Sequence, residues 1–318
     1  MKSFNGKKVL KSFIVPTFLA VTVLFSCAQT PAVTQKETLS YYQKANELFA
    51  KGKYGDAVQY YQKAEKGLPF LSPQQIALMK YRLGVAYFKE KKYADAILAL
   101  EDFIDNYPGS AYIQQAYLYL IKAYLKIAPD AWRDPSYTEK AIKLAEEFLQ
   151  KFPDSPYRAQ VYQLLIQARK KLAKHYYLIA KFYEDYGYYY PAAVRFEYLL
   201  VTYPQYIDKR DVLFHYIKNL YLTPLYAKKK IAYWNKKARE LKEKIKRGEV
   251  VDKKAAEKRV EYYKQQAQRW ENISKEAVKA ADENLALYKR DYGEDNNYKL
   301  LLKIKKGEWT QSWIEKIL

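Results

Sequence analysis

The sequence predicts an all-α fold: a solenoid of about five two-helix repeats, followed by a C-terminal helical-hairpin extension. Three observations carry this. The 318 residues include only 10 glycines, with long Lys-, Glu-, Ala-, Tyr- and Leu-rich stretches that suit helices joined by short turns. Small residues and prolines recur in sets stepping by 12: Ala45, Ala57 and Pro69; Gly84, Ala96 and Pro108; Ala180, Ala192 and Pro204. Large side chains occupy the same slots around each set: Leu48, Tyr54 and Tyr61, then Tyr87, Tyr93 and Leu100, then Tyr183, Tyr189 and Phe196.

Such spacing describes two antiparallel helices per unit. The small residues let the pair approach closely, the large ones fill the space around that contact, and the proline ends the second helix. This is the tetratricopeptide-repeat (TPR) pattern, so the fold is a TPR α-solenoid. The stretch from Leu83 to Pro108 fits it best, and Ala141 and Pro153 supply the second half of another copy. The frames start 39, 45 and 51 residues apart (Ala57, Ala96, Ala141, Ala192), more than the usual 34 or so. Residues 127–137 stretch the turn inside the third unit, and one long helix is expected from Ser155 to Tyr186. Residues 209–226 supply the first helix of a fifth unit, expected to break near Thr223-Pro224.

A single repeat cannot bury both its faces, so stacking is expected to give a right-handed solenoid with a concave groove. In TPR proteins the fifth, ninth and twelfth frame positions of the first helices line that groove. Here they are Tyr42, Asn46 and Phe49; Tyr81, Val85 and Phe88; Leu118, Lys122 and Leu125; and Tyr177, Lys181 and Glu184. Aromatic rings with a hydroxyl offer stacking area and a hydrogen bond at low entropic cost, which suits an extended peptide. The peptide-binding candidates are Tyr42, Asn46, Phe49, Tyr81, Val85, Phe88 and Lys122.

The N-terminus carries a different signal. Lys2, Lys7, Lys8 and Lys11 precede an apolar run from Ser12 to Ser26, 15 residues interrupted by Pro16. That is short of the roughly 20 residues a membrane span needs and matches a secretory signal peptide. Leu24-Phe25-Ser26-Cys27 resembles the lipobox of bacterial lipoproteins, with a small residue before the only cysteine of the chain. The resemblance implies cleavage after Ser26, acylation of Cys27 and, with Ala28 rather than Asp following, retention at the periplasmic face of the outer membrane. The expected organisation is a signal peptide at 1–26, a tether at 27–37, the solenoid at 38–226 and a basic extension at 227–318.

The formal charge is +21, from 56 basic and 35 acidic residues, so anionic partners are to be expected. An exported chain excludes nucleic acid as the first choice among them. Two histidines and one cysteine cannot make a His/Cys metal cluster, no cofactor motif occurs, and no GxGxxG, P-loop, HExxH, GxSxG or CxxC string points to catalysis. The sequence therefore reads as a scaffold rather than an enzyme.

Specific strings narrow the scaffold further: Arg133-Asp134-Pro135; Lys151-Phe152-Pro153-Asp154-Ser155-Pro156-Tyr157; Ala168 to Tyr176; and Arg195-Phe196-Glu197-Tyr198-Leu199-Leu200 before Tyr203-Pro204. In this order they resemble the BamD family of TPR lipoproteins, which serve the outer-membrane β-barrel assembly machinery. The resemblance covers roughly residues 38–226. It implies that the N-terminal groove receives unfolded barrel substrates and that the C-terminal repeats dock on the POTRA domains of a BamA-like barrel protein. Arg195 and Glu197 take the family's place at that interface, where a guanidinium can grip a carboxylate through two parallel hydrogen bonds. An adaptor for peptidoglycan enzymes is the competing expectation for a TPR lipoprotein.

Past residue 226 the family pattern ends. Residues 228–260 carry 14 Lys/Arg against 5 Asp/Glu, a net +9. A helix over 226–247 and a second from Asp252 to about Arg290 predict a coiled-coil-like hairpin, since Val260, Tyr263, Ala267, Trp270, Ala277, Ala281 and Tyr288 recur every three to four residues or multiples of that. Two short helices are expected after Gly293, around Tyr298–Leu302 and over Trp309–Leu318.

Overall fold

The computed structural model describes residues 33–308, and among these the regular structure is helical throughout. The signal peptide, Cys27, most of the tether and the expected helix over Trp309–Leu318 lie outside the described residues. Four helix pairs follow one another: α1 (Gln35–Ala50) with α2 (Tyr54–Glu65), α3 (Pro73–Lys89) with α4 (Tyr93–Asn106), α5 (Ile113–Ile127) with α6 (Ser136–Lys151), and α7 (Arg158–Asp185) with α8 (Tyr189–Thr202). Two long helices, α9 (Lys209–Lys246) and α10 (Lys253–Tyr292), and the short α11 (Asn296–Lys305) complete the described residues.

Local chemistry sets the starts and stops. Thr34 and Glu37 form a capping box at α1, and Ser72 and Gln75 form another at α3, with Pro73 at the first helical position. The 3₁₀ turn Leu68–Phe70 absorbs Pro69, and Pro108, Pro153 and Pro204 each lie just beyond a second helix. Within the units one position takes the left-handed conformation: Gly52 (φ 74°), Lys91 (φ 60°) and Gly187 (φ 73°), each seven residues after the first crossing residue. Lysine at the second of these is tolerated at a cost that glycine avoids.

The crossing positions behave as their spacing requires. Ala45, Ala57, Ala96, Ala141, Ala180 and Ala192 are all fully buried. A Cβ on Gly84 would stand 2.8 Å from the side chain of Leu100, so only glycine permits that approach of α3 to α4. Four fully buried rings, Tyr61, Phe103, Phe148 and Phe196, fill the frame around the crossings.

First helices touch the next first helix in line, α1 to α3, α3 to α5 and α5 to α7. They therefore form the inner row of the stack. Hydrogen bonds stitch this row across units: Tyr81 donates to Gln115 Oε1 (2.8 Å), and Gln115 donates to the hydroxyl of Tyr157 (2.6 Å). The stretched 128–135 loop of the third unit docks on α7, where Lys171 donates to the Ala128 carbonyl (2.8 Å) and His175 Nδ1 meets the Ala131 carbonyl (2.7 Å). The strings at Arg133–Pro135 and Ala168–Tyr176 are thus two halves of one contact.

One sequence expectation is overturned. The helix does not break at Thr223-Pro224: α9 runs unbroken through Pro224. Proline removes one backbone donor, at a cost of about 3 kcal/mol in a helix interior. Leu222, Thr223, Tyr226 and Ala227 are all buried around it, and the hydroxyl of Thr223 donates to the Asn219 carbonyl (2.9 Å). Burial of these side chains offsets the lost bond. A consequence is that the 226/227 boundary falls inside a helix.

The long hairpin also does more than extend the stack. The C-terminal half of α10 packs along the first half of α9, placing Ala277, Ala281, Leu285 and Tyr288 in one core with Phe196, Leu199, Ile217 and Leu220. Leu301 and Ile304 of α11 close that core. Thus α10 supplies the fifth unit's second helix, and only the part of the hairpin beyond about Tyr226 and Trp270 projects.

Candidate binding surfaces

The N-terminal candidates divide by burial. Tyr42, Tyr81 and Val85 are buried between neighbouring helices, and Tyr81 stacks on Tyr112 at 5.0 Å. Burial pushes the Tyr81 phenol well above its ordinary pKa, so it is a neutral hydrogen-bond donor. These three hold the inner row together. Asn46, Phe49, Phe88 and Lys122 remain partly accessible on it.

Asn46 is nonetheless engaged. Its Oδ1 accepts from the Tyr61 hydroxyl (2.8 Å) and from Arg82 Nη1 (2.7 Å), and the Arg82 guanidinium lies over the Phe49 ring at 5.3 Å. Arg82 is a surface cation that the frame positions did not single out. In the next unit Phe88 packs edge-on to Tyr119 (5.3 Å), while Lys89 and Lys122 both stand within 6 Å of the Tyr119 ring. Burial and the charge of Lys89 lower the Lys122 pKa, which marks two cations crowded together with no ion pair to a carboxylate among the described residues. An incoming anionic group would supply that relief. At the opposite end of α3, a cleft of about 640 Å³ opens between the start of that helix and the 106–112 loop, with Tyr42, Gln75, Leu78, Tyr107 and Tyr112 among its walls.

Further along the inner row, Lys181 and Glu184 sit at groove positions of the fourth unit, but Glu184 is 5 % exposed and faces α9. Four groups donate to its carboxylate: His215 Nδ1 (2.8 Å), Lys181 Nζ (2.7 Å), Lys218 Nζ (3.1 Å) and Asn219 Nδ2 (2.5 Å). Burial acts to raise the Glu184 pKa. The hydrogen bond and charge of His215, with Lys218 and Lys181, outweigh it and hold the carboxyl well below the usual carboxylate range. His215 is in turn stacked on Phe196 at 5.2 Å. The network ties the fourth unit to the fifth, so Glu184 is a structural residue rather than a groove contact.

Arg195 and Glu197 lie on α8, but they do not pair with each other. Arg195 Nη1 donates to the Pro191 carbonyl (2.8 Å), and its guanidinium lies flat against Tyr183, 3.7 Å from the ring centroid. Glu197 is exposed and accepts from the Tyr216 hydroxyl (3.3 Å). Around them Phe182, Tyr186, Tyr188, Val194, Tyr198 and Val201 are exposed, an apolar surface beside a held cation. That combination has the character of an interface centre: aromatic area with a pre-oriented arginine. Among the described residues no group of His, Cys, Asp and Glu could hold a metal, and no helix is long and apolar enough to cross a membrane.

Comparison with known proteins decides the family. The model of the YfiO family, described as outer membrane lipoprotein, matches residues 34–233. The chain belongs to this family. It is 43% identical over 269 residues to the putative outer membrane protein assembly factor BamD of Aquifex aeolicus (strain VF5), covering 84% of this chain and 87% of that protein. It is 27% identical over 150 residues to the outer membrane protein assembly factor BamD of Caulobacter vibrioides, covering 45% of this chain and 47% of the relative. Among solved structures, a TPR repeats protein from Bacteroides fragilis is similar at 15% identity and a TM-score of 0.37, covering 86% of this chain and 99% of that one. Assembly factors of this family are non-enzymatic, and the surfaces above offer this chain places to bind.

Proposed function

We propose that the chain is a scaffold of outer-membrane protein assembly that joins a POTRA-bearing, BamA-like barrel protein to unfolded outer-membrane proteins. The observation that carries this reading is the likeness to an assembly factor along 84% of the chain. The apolar face around Arg195 and Glu197 supports docking of the barrel component there, because Tyr183 and Pro191 hold the guanidinium in one orientation before any partner arrives. The inner row of the first three units supports the substrate role. Phe49, Phe88 and Tyr119 offer ring faces to an extended segment, and Lys89 with Lys122 offer charge to a carboxylate, such as a chain terminus.

Native complexes solubilised in mild detergent are expected to contain the barrel protein, and purified Arg195→Glu should bind its POTRA region roughly thirtyfold more weakly, about 2 kcal/mol. An unchanged Kd, with circular dichroism confirming the fold, removes Arg195 from the interface. Capture of peptidoglycan enzymes in place of the barrel protein would instead favour the adaptor reading.

The membrane attachment rests on Leu24–Cys27. Acyl chains on Cys27 would hold the mature chain stably, since each buried methylene contributes about 0.8 kcal/mol. The mass of the protein extracted from membranes is expected to equal residues 27–318 plus a diacylglyceryl group and an N-acyl chain. An unmodified Cys27 in the mature chain sinks the anchor.

A further inference from the structure

The projecting part of the α9–α10 hairpin has a surface that neither the solenoid nor the docking reading uses. Beyond Ala227 the residues of α9 pack along α10, through a narrow seam of Ala238, Ala256, Val260 and Ala267 with Trp234 and Tyr263. From Lys228 to Lys246 this arm is about 30 Å long by helix rise. The net +9 of residues 228–260 therefore sits on one thin element, set apart from the rest of the fold. Among the described residues only Lys236, Lys246 and Arg247 of that segment reach an acid, each within α9 or the adjoining turn. Arg239, Lys244 and Arg259, with Arg247, line a cleft of about 620 Å³ between the two helices, beside Glu240 and Glu243.

The tip adds a second, independent feature. Gly248 turns the chain with φ 72°, and the turn presents Val251 fully exposed, next to the partly exposed Val250. Lys244, Lys246, Arg247, Lys253 and Lys254, all exposed, surround this apolar point and outnumber its two adjacent acids, Glu249, which pairs with Arg247, and Asp252, which caps α10. Farther down the arm, about 20 Å from the tip by helix rise, Tyr233 and Tyr262 are about half exposed beside Trp234. An aliphatic point with an excess of cations around it is the arrangement that binds an anionic bilayer surface: phosphates neutralise the cations while the valines enter the headgroup boundary. An acidic protein face would satisfy the charges but offers no reason for the apolar tip. Membership of an outer membrane lipoprotein family sets the arm beside lipid and away from nucleic acid.

We propose that the tip of the α9–α10 arm is a second membrane contact, binding anionic phospholipid headgroups independently of any acyl anchor.

The test uses residues 27–318 bearing Cys27→Ser, so that no acyl chain contributes, in co-sedimentation with phosphatidylcholine vesicles made with or without phosphatidylglycerol. Binding is expected to the anionic vesicles alone and to weaken steeply with added salt. Neutralising Lys244, Arg247, Lys253 and Lys254 together should lower it by roughly fivefold per charge removed. Val251→Ser should weaken it several-fold with no change in charge, which counterion attraction alone would not produce. All five positions are exposed, so helicity and melting temperature should stay as in the parent. Equal binding to neutral vesicles, or undiminished binding by the neutralised variant, overturns the proposal. It is equally overturned if the variants keep vesicle binding and lose a cross-linked protein partner, which would make the arm a protein-docking element.

Discussion

Replacing Glu184 with glutamine is expected to lower the unfolding free energy by about 3 kcal/mol at neutral pH, the scale for removing one member of a buried ion network. The carboxylate is the shared acceptor for His215, Lys181, Lys218 and Asn219. Glutamine keeps the volume but turns an amide toward groups that are themselves donors. The two lysines can swing toward solvent, since their side chains are 27% and 18% exposed, but His215 is stacked on Phe196 with Tyr177 packed edge-on against it and cannot. The pH dependence carries the diagnostic. Because the folded carboxyl is held below its ordinary pKa of 4.5, its contribution is complete above that pH and is lost as the pH falls below it. Urea unfolding should therefore show a gap between parent and variant at neutral pH that narrows as the buffer falls below pH 4.5. A gap that fails to narrow means that Glu184 does not enter the folded state ionised.

Truncation after residue 226 is expected to have the larger effect: it should unfold the fourth and fifth units. The deletion removes Leu285, Tyr288, Leu301 and Ile304 from the C-terminal core, each worth about 1.5–3 kcal/mol, together comparable with the 5–15 kcal/mol that stabilises a whole domain. It also removes Asp282, which accepts from Tyr221 (2.6 Å), and Asp295, which pairs with Arg210. Limited proteolysis should then cut within α8 and α9 while the first three units persist. As the control, replacing residues 232–265 with a short flexible loop takes away the arm and leaves that core intact. A truncated chain that resists proteolysis like the parent would show that residues 38–226 fold on their own.

Much of this molecule was readable because its signals are short-range. The alanines and prolines stepping by 12 report helices whose contacts lie within one unit, and every crossing residue named from that spacing is buried. The long α7 followed from the lack of any breaker after Pro156. The α9–α10 hairpin was visible in the three-to-four-residue recurrence from Val260 to Tyr288 and in the Gly248 turn. The groove was less legible. Frame positions say which way a side chain points, but they do not say whether the next unit covers it, and so Tyr42, Tyr81, Val85 and Glu184 became packing residues. Arg82 and Lys89 beside the inner-row aromatics had no positional signal at all, because ordinary surface cations look the same in sequence.

The sequence by itself determined the repeat architecture and the concentration of charge in residues 228–260, since each is encoded within a few dozen residues. Only the tertiary structure decided where the solenoid ends. Pro224 looks like a stop when its neighbours are read locally, yet burial of Leu222, Tyr226 and Ala227 carries the helix through it. Likewise the second helix of the fifth unit comes from residues 277–288, brought back by a hairpin so that Arg210 meets Asp295 across 85 positions. A contact spanning that distance leaves no periodic trace in the chain, because its free energy comes from a surface that exists only once both elements have folded.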